Sequence, residues 1–344
     1  MTIELVTDRE LWDKFIDKSP YGTLFHKWDL LKIVEKHSGY ELRPYGLYKN
    51  DSLYAVIPIY YKNTKGVKLV YSPPQGTLAY IPYMGLVMWQ DYKTLKQRKK
   101  EQYLDYAWAD LAAELKRLST NIVSITMVPD MYDVRPFIWD GYEIKLLYTY
   151  MHDLTQPEDE IWNSFDNDCR QKIRAGAKHG LVIKESTDVD TFFNIMVGRL
   201  KGYGNNFFTR QSPDYLRDLL AAFPENIKLY FMYKDQEIVG AAINCCYKDQ
   251  YTGWFGDAII NREIASNEYL NWEFIKMAKA AGYKRLENWG ADMKRVNQFK
   301  SKFNPTLTTY YHVRKKDRIG ALSEWGYDNV LANPYLGFVR KAIF

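Results

Sequence analysis

The chain has 344 residues, 47% of them hydrophobic and 26% charged, and a formal net charge of +5. That length suits two domains of ordinary size, and the modest positive charge admits anionic partners while falling short of a dedicated nucleic-acid-binding surface, DNA included. Three cysteines (Cys169, Cys245 and Cys246) exclude a disulfide framework and read as reduced core residues.

Residues 10–16 read as a short helix and 28–36 as a second, with Leu30, Leu31, Ile33 and Val34 along it and Gly39 ending it. Residues 43–48 and 53–61 form a hairpin pattern about 49–52. A Pro/Gly-rich section (72–85) leads to a long helix over 95–118, a strand over 122–127 and a strand-like run over 141–153. The same plan then begins again. Pro157 opens a helix predicted to run to Lys178 and stop at Gly180. A strand over 181–185 follows, then helices over 188–200 and 214–223. Strands over 228–233, 238–247 and 251–260, a helix over 267–281, a strand over 284–289, a helix over 294–303 and a strand over 308–314 complete the pattern. Hairpins over 46–61 and 230–247 hold equivalent places, which predicts a duplicated α/β (α+β) half: two tandem domains, each a mixed sheet flanked by helices. No flexible linker separates them. The expected boundaries are 1–153 and 154–324, with the apolar tail 325–344 packing back on the first.

Several chemistries lack their motifs. The five histidines are scattered, with no metal-ligand spacing. There is no phosphate-binding glycine loop and no G-x-S-x-G elbow. The charged N-terminus does not resemble a signal peptide, and no apolar run reaches bilayer length, so the expectation is a cytoplasmic protein without a transmembrane segment. Nothing sets the oligomeric state, and a monomer suffices.

The segment from Glu160 through Arg170-Gln171-Lys172-Ile173-Arg174-Ala175-Gly176-Ala177-Lys178-His179-Gly180 resembles a FemABX hallmark, R-x-x-I-R-x-A-x-K-x-G, in which a helix leads into a strand, with Gly176 in place of a more helix-favouring residue. Residues 267–273, Glu287-Asn288-Trp289-Gly290, and Phe299-Lys300-Ser301-Lys302-Phe303-Asn304 are similar to later elements of that family. Asn304 stands where glycine is usual, and both tolerate positive φ. The resemblance implies two GNAT-like domains. It also implies transfer of an aminoacyl group from aminoacyl-tRNA, as co-substrate and with no cofactor, to an amine of a cell-wall or related precursor. A broader branch of similar proteins comprises GNAT-type acyltransferases.

Each candidate residue carries two readings. Arg170, Arg174 and Lys178, four apart, form a basic stripe for phosphates or a solvated face. A fixed cation at Lys300, or at Lys302, would stabilise the oxyanion formed when an amine attacks an ester; otherwise each is a surface lysine. Asp257, after Gly253-Trp254-Phe255-Gly256, is a candidate for positioning or deprotonating the amine. Glu287 has the same chemistry, but there a strand-end or helix-capping carboxylate is the preferred reading. Tyr203, Asn206 and Arg210 lie on a polar loop suited to a substrate lid, and Asn267 and Tyr269 open the helix of the family-like segment. Trp254, Trp272 and Trp289 read as core.

The donor is read from residues 261–268, Asn-Arg-Glu-Ile-Ala-Ser-Asn-Glu, which stand where an acetyl-CoA-dependent GNAT enzyme carries a glycine-rich pyrophosphate loop. This stretch has no glycine and two carboxylates. Aminoacyl-tRNA is therefore the expected donor. The alternatives are acyl-CoA or another thioester bound unconventionally, and a non-catalytic protein that binds RNA or a glycan precursor.

Overall fold

Local signals begin and end the helices where the pattern predicts. Asp8 Oδ1 accepts from the Glu10 and Leu11 N–H groups and caps the first helix, and Gly39, at φ 70°, ends the second. In the computed structural model, residues 1–74, 81–131, 133–201, 212–258, 266–326 and 329 are described. The first half contains β1 (Thr2–Leu5), α1 (Arg9–Lys18), α2 (Trp28–Ser38), β2 (Glu41–Lys49), β3 (Ser52–Thr64), β4 (Val67–Ser72), β5 (Val87–Met88), α3 (Gln97–Arg117), β6 (Ile122–Thr126), α4 (Arg135–Trp139) and β7 (Glu143–Asp153). The second contains α5 (Glu158–Ser164), α6 (Asn167–Ala177), β8 (Val182–Ser186), α7 (Val189–Lys201), α8 (Asp214–Ala222), β9 (Ile227–Lys234), β10 (Glu237–Tyr247), β11 (Gln250–Ala258), α9 (Ser266–Ala280), β12 (Arg285–Asn288), α10 (Lys294–Lys300), β13 (Thr306–Lys316) and α11 (Arg318–Gly326).

The described strands form one mixed sheet in the order β1-β2-β3-β4-β6-β13-β7-β12-β11-β10-β9-β8, with β5 beside β3. Only two neighbouring pairs are parallel, β4 with β6 and β11 with β12. Each spans a crossover that contains a long helix, α3 in the first half and α9 in the second, as parallel pairing requires. The middle of the sheet joins the halves. β13 lies between β6 and β7, and β7 lies between β13 and β12, so each half donates its last strand to its neighbour.

Two apolar clusters cover the faces of this sheet. The larger runs from Trp12 and Ile16 through Leu111 into Phe192, Leu219 and Phe231, so α7 and α8 pack on the first half as well as on their own strands. The smaller holds Ile161, Phe165, Ile173, Trp272 and Phe303. Trp254 and Trp272 are buried and Trp289 is half-buried against the larger cluster, as expected.

The structure differs from the sequence pattern in several places, and helices α4 and α11 form where none is expected. The helix predicted from Pro157 to Lys178 is two helices, because Phe165 and Asp166 are extended. There the Phe165 ring packs on Trp272 and Phe303, while the Asp166 N–H donates to the Lys302 carbonyl at 3.0 Å. Tertiary packing overrides helix propensity at that point. On α6 the inward face is formed by Cys169, Ile173 and Gly176. β1, β4 and β5 also form where no strand is expected, each held by ladder bonds to a longer partner. The helix expected over 294–303 stops at Lys300 and tightens into a 3-10 turn, Ser301–Phe303, closed by Asn304 at φ 47°. Of the tail 325–344, expected to pack on the first half, Trp325 and Gly326 end α11 with Trp325 exposed, and apart from residue 329 the rest lies outside the described residues.

Candidate active site

Where the β10–β11 hairpin meets the first half there is a cavity of about 620 Å³. Its lining includes the loop after α1, Tyr83, Val128 to Asp130, and the hairpin tip from Cys245 to Gln250. Lys248, in the left-handed region at φ 54°, turns the hairpin. Its Nζ donates to the carbonyls of Ile16 (2.8 Å), Ser19 (2.6 Å) and Gly22 (3.1 Å). Those acceptors match the donors of one ammonium, and burial pushes its pKa down to about 8. Tyr247 adds a hydrogen bond to Asp17. Lys248→Met keeps the stem and leaves the acceptors without this donor, so urea unfolding is expected to show a loss of roughly 1–3 kcal/mol.

Behind one wall of the cavity lies Glu287, which is wholly buried in β12. Its Oε2 accepts from the Tyr83 hydroxyl at 2.7 Å and the Gln250 amide at 2.9 Å, and its Oε1 accepts from Thr149 at 2.9 Å. Those donors come from both halves, and Tyr83 and Gln250 themselves line the cavity. Burial raises the Glu287 pKa, against the opposing pull of the Tyr83 and Thr149 hydrogen bonds. Burial also raises the Tyr83 pKa, so its hydroxyl stays protonated. A carboxyl with raised pKa, one hydroxyl away from a cavity, has the makings of a proton acceptor. The sequence reading of Glu287 as a strand-end or capping carboxylate is thereby corrected, because the sheet continues on both sides of it.

Lys300 stands at the end of the same strand. Its Nζ donates to the carbonyls of Asn288 (3.3 Å), Trp289 and Gly290 (2.9 Å), gathering the turn through which the chain leaves β12. Asp257 lies beyond the paired stretch of β11 and β12, which ends at Gly253, and its register partner is Ala241. Glu287 pairs with Thr252, five residues before Asp257 on β11, so the backbone of Asp257 lies about 16 Å along the strand from the level of Glu287.

The remaining candidates lie around α6 and α9. Arg170 is held by the Asn163 carbonyl (2.9 Å) and Asn167 Oδ1 (2.5 Å), Arg174 stacks over the Trp162 ring (5.5 Å), and Lys178 is exposed at the helix end. Lys302 bonds Asp168 at 3.0 Å and approaches Glu268 to 3.8 Å, and Lys172 joins the same two carboxylates. Glu268 is buried in the first turn of α9. Beside it the Asn267 carbonyl accepts from Asn271, and Tyr269, half-buried, has its pKa raised by that burial. Tyr203, Asn206 and Arg210 lie outside the described residues. Among the described residues no group of His, Cys, Asp or Glu is arranged to hold a metal ion, and no helix is long and apolar enough to cross a membrane.

Sequence reasoning missed Tyr83, Thr149, Lys248 and Gln250. Tyr83 sits in a stretch legible only as Pro/Gly-rich, and Lys248 and Gln250 flank a polar turn, which reads as solvent-exposed. One signal was present: a glutamate between Leu286 and Asn288 in a strand of a parallel pair, where both faces of a sheet are normally covered.

The comparisons with known proteins bear on this arrangement. Residues 163–301 match the acetyltransferase (GNAT) domain family model. None of the curated proteins matches the sequence. Among solved structures the chain is similar to FemX, with a TM-score of 0.67 and 14% identity over 90% of this chain and 97% of that one. It is also similar to L-PGS from Bacillus licheniformis, with a TM-score of 0.52 and 14% identity over 90% of this chain and 93% of that one. The C-terminal domain assigned to a lysylphosphatidylglycerol synthetase of Agrobacterium fabrum gives 0.54 and 15%, over 91% and 93%. Residues 163–301 thus match a GNAT acetyltransferase domain, in a chain whose α/β fold is similar to that of FemX over 90% of its length.

Proposed function

We propose that the protein is an N-acyltransferase that moves an aminoacyl group from aminoacyl-tRNA to an amine of a cell-wall or related precursor. The observation that carries the choice of donor is Glu268. Its buried carboxylate occupies the first turn of α9, within reach of Lys172 and Lys302. A helix N-terminus attracts anions, and here the chain supplies its own. A CoA pyrophosphate at that point would meet a fixed negative charge. The FemX-like fold over nearly the whole chain supports the same reading.

In this reading the acceptor amine enters the cavity between the halves and attacks the ester carbonyl of the donor. A C–N bond forms, the ester C–O bond breaks, and the ribose hydroxyl leaves with a proton. The amine gives up its own proton to the Tyr83 oxygen as the Tyr83 proton passes to Glu287 Oε2, across the 2.7 Å hydrogen bond, and the same relay run backwards returns that proton to the departing ribose oxygen and restores the carboxylate. The test is transfer from a mixture of charged tRNAs to candidate amines, read as mass gain. Ribonuclease treatment of the donor is expected to abolish the product. Transfer that survives RNA digestion and follows acyl-CoA would overturn the proposal.

A further inference from the structure

Helix α11 carries an apolar stripe that the described fold leaves uncovered. Ile319, Leu322 and Trp325, three residues apart and on one side of the helix, are 58%, 70% and 60% exposed. The opposite side is fixed to the sheet. Gly320 lies so close to the Asn121 carbonyl that a Cβ would come within 2.3 Å of it, and Glu324 pairs with Arg314 and Lys316 of β13. The stripe therefore points away from the sheet, on a helix that cannot roll to hide it.

Three cations lie on the segments that meet at the start of this helix. Asn121 is the pivot: it exchanges hydrogen bonds with Lys68 at the start of β4 (2.8 and 2.9 Å) and with Asp317, the residue before α11 (2.9 and 3.0 Å). Arg318 is the first residue of α11, Lys65 lies in the turn before β4, and Lys116 lies in the last turn of α3, which leads into β6. Both acids of α11 and the residue before it are engaged. Asp317 accepts from Asn121 and from the Gly320 N–H, and Glu324 is held by its two cations.

We infer that this face of α11 docks on an anionic lipid surface. Aliphatic side chains and a tryptophan beside a cluster of cations suit the boundary between headgroups and acyl chains. RNA would engage the cations but leave Ile319 and Leu322 in water. The contact is with one leaflet, since no described helix is long and apolar enough to cross.

The test is co-sedimentation of the full chain with vesicles of phosphatidylcholine alone or mixed with phosphatidylglycerol. The expected result is binding to the anionic vesicles only, weakened by salt. Ile319→Glu and Leu322→Glu are each expected to weaken that binding about tenfold or more, with thermal midpoints unchanged because both side chains face solvent. The inference fails if the unaltered chain stays in the supernatant, or if both variants pellet as it does. It fails equally if either variant lowers the thermal midpoint by several degrees without affecting vesicle binding, which would mean that the chain itself covers the stripe. Loss of tRNA binding or of self-association in these variants, with no vesicle binding by the unaltered chain, would assign the face to RNA or to a second copy instead.

Discussion

Glu287→Gln is expected to lower kcat by about 10²- to 10⁴-fold while KM changes little, the range for removing a positioned proton acceptor. Glutamine keeps the length and shape of the side chain. It cannot take the proton that Tyr83 passes across the 2.7 Å hydrogen bond. Tyr83→Phe is expected to give a loss of the same order, because it removes the relay and leaves the carboxylate. The pH profile separates this from a structural role. Burial raises the Glu287 pKa, so the activity of the unaltered enzyme rises with pH through that raised value, and the glutamine variant lacks the rise. The stability effect has a definite sign. A carboxyl whose folded pKa is raised contributes stability that is fully present below its unfolded value of about 4.3 and is lost as pH climbs through the folded value. The variant is therefore expected to lose less stability than the parent between acidic and neutral pH, read by urea unfolding at both. Unchanged kcat in Glu287→Gln would remove the carboxyl from the mechanism.

Lys300→Met is expected to impair both stability and activity. Its ammonium holds the carbonyls of Asn288, Trp289 and Gly290. Each acceptor left without a donor in a part-buried turn costs roughly 1–3 kcal/mol, and the end of β12 next to Glu287 loosens with them. A second effect is electrostatic. The Lys300 charge lowers the Glu287 pKa, so its loss lets that pKa rise further and moves the pH–rate profile to higher pH. Lys300→Arg keeps the charge but fits the turn poorly, and should retain the pH profile while losing stability. A fall in kcat with unchanged melting temperature and pH profile would instead favour direct contact of Lys300 with the developing oxyanion. Thermal melts and pH–rate curves of the two variants decide between these roles.

Much of the fold is local and was therefore legible. Periodicity gave α3, α7 and α8 nearly to the residue, with Leu104, Ala107, Trp108, Leu111 and Leu115 of α3 buried at helical spacing. Turn chemistry gave both hairpins and the positive φ of Asn304. The site was less legible because its members are far apart in sequence. Lys302, Glu268 and Lys172 meet only once α6, α9 and the turn after α10 have packed. Tyr83 and Glu287 are separated by 204 positions. The break at Phe165 was equally hidden, since the partners of that ring, Trp272 and Phe303, come more than a hundred residues later.

By itself, then, the sequence determined most of the helices, the two hairpins, the duplicated order of elements and the absence of a glycine-rich anion loop before α9, because propensity, periodicity and turn chemistry act over a few residues. Tertiary structure decided the rest. It exchanged β7 and β13 between the halves, since an unpaired strand edge is satisfied by whichever partner lies beside it. By the same step it enclosed Glu287 among donors from both halves. Whether a carboxylate faces water or a buried hydroxyl depends on what packs around it, and that is a property of the assembled sheet rather than of any one strand.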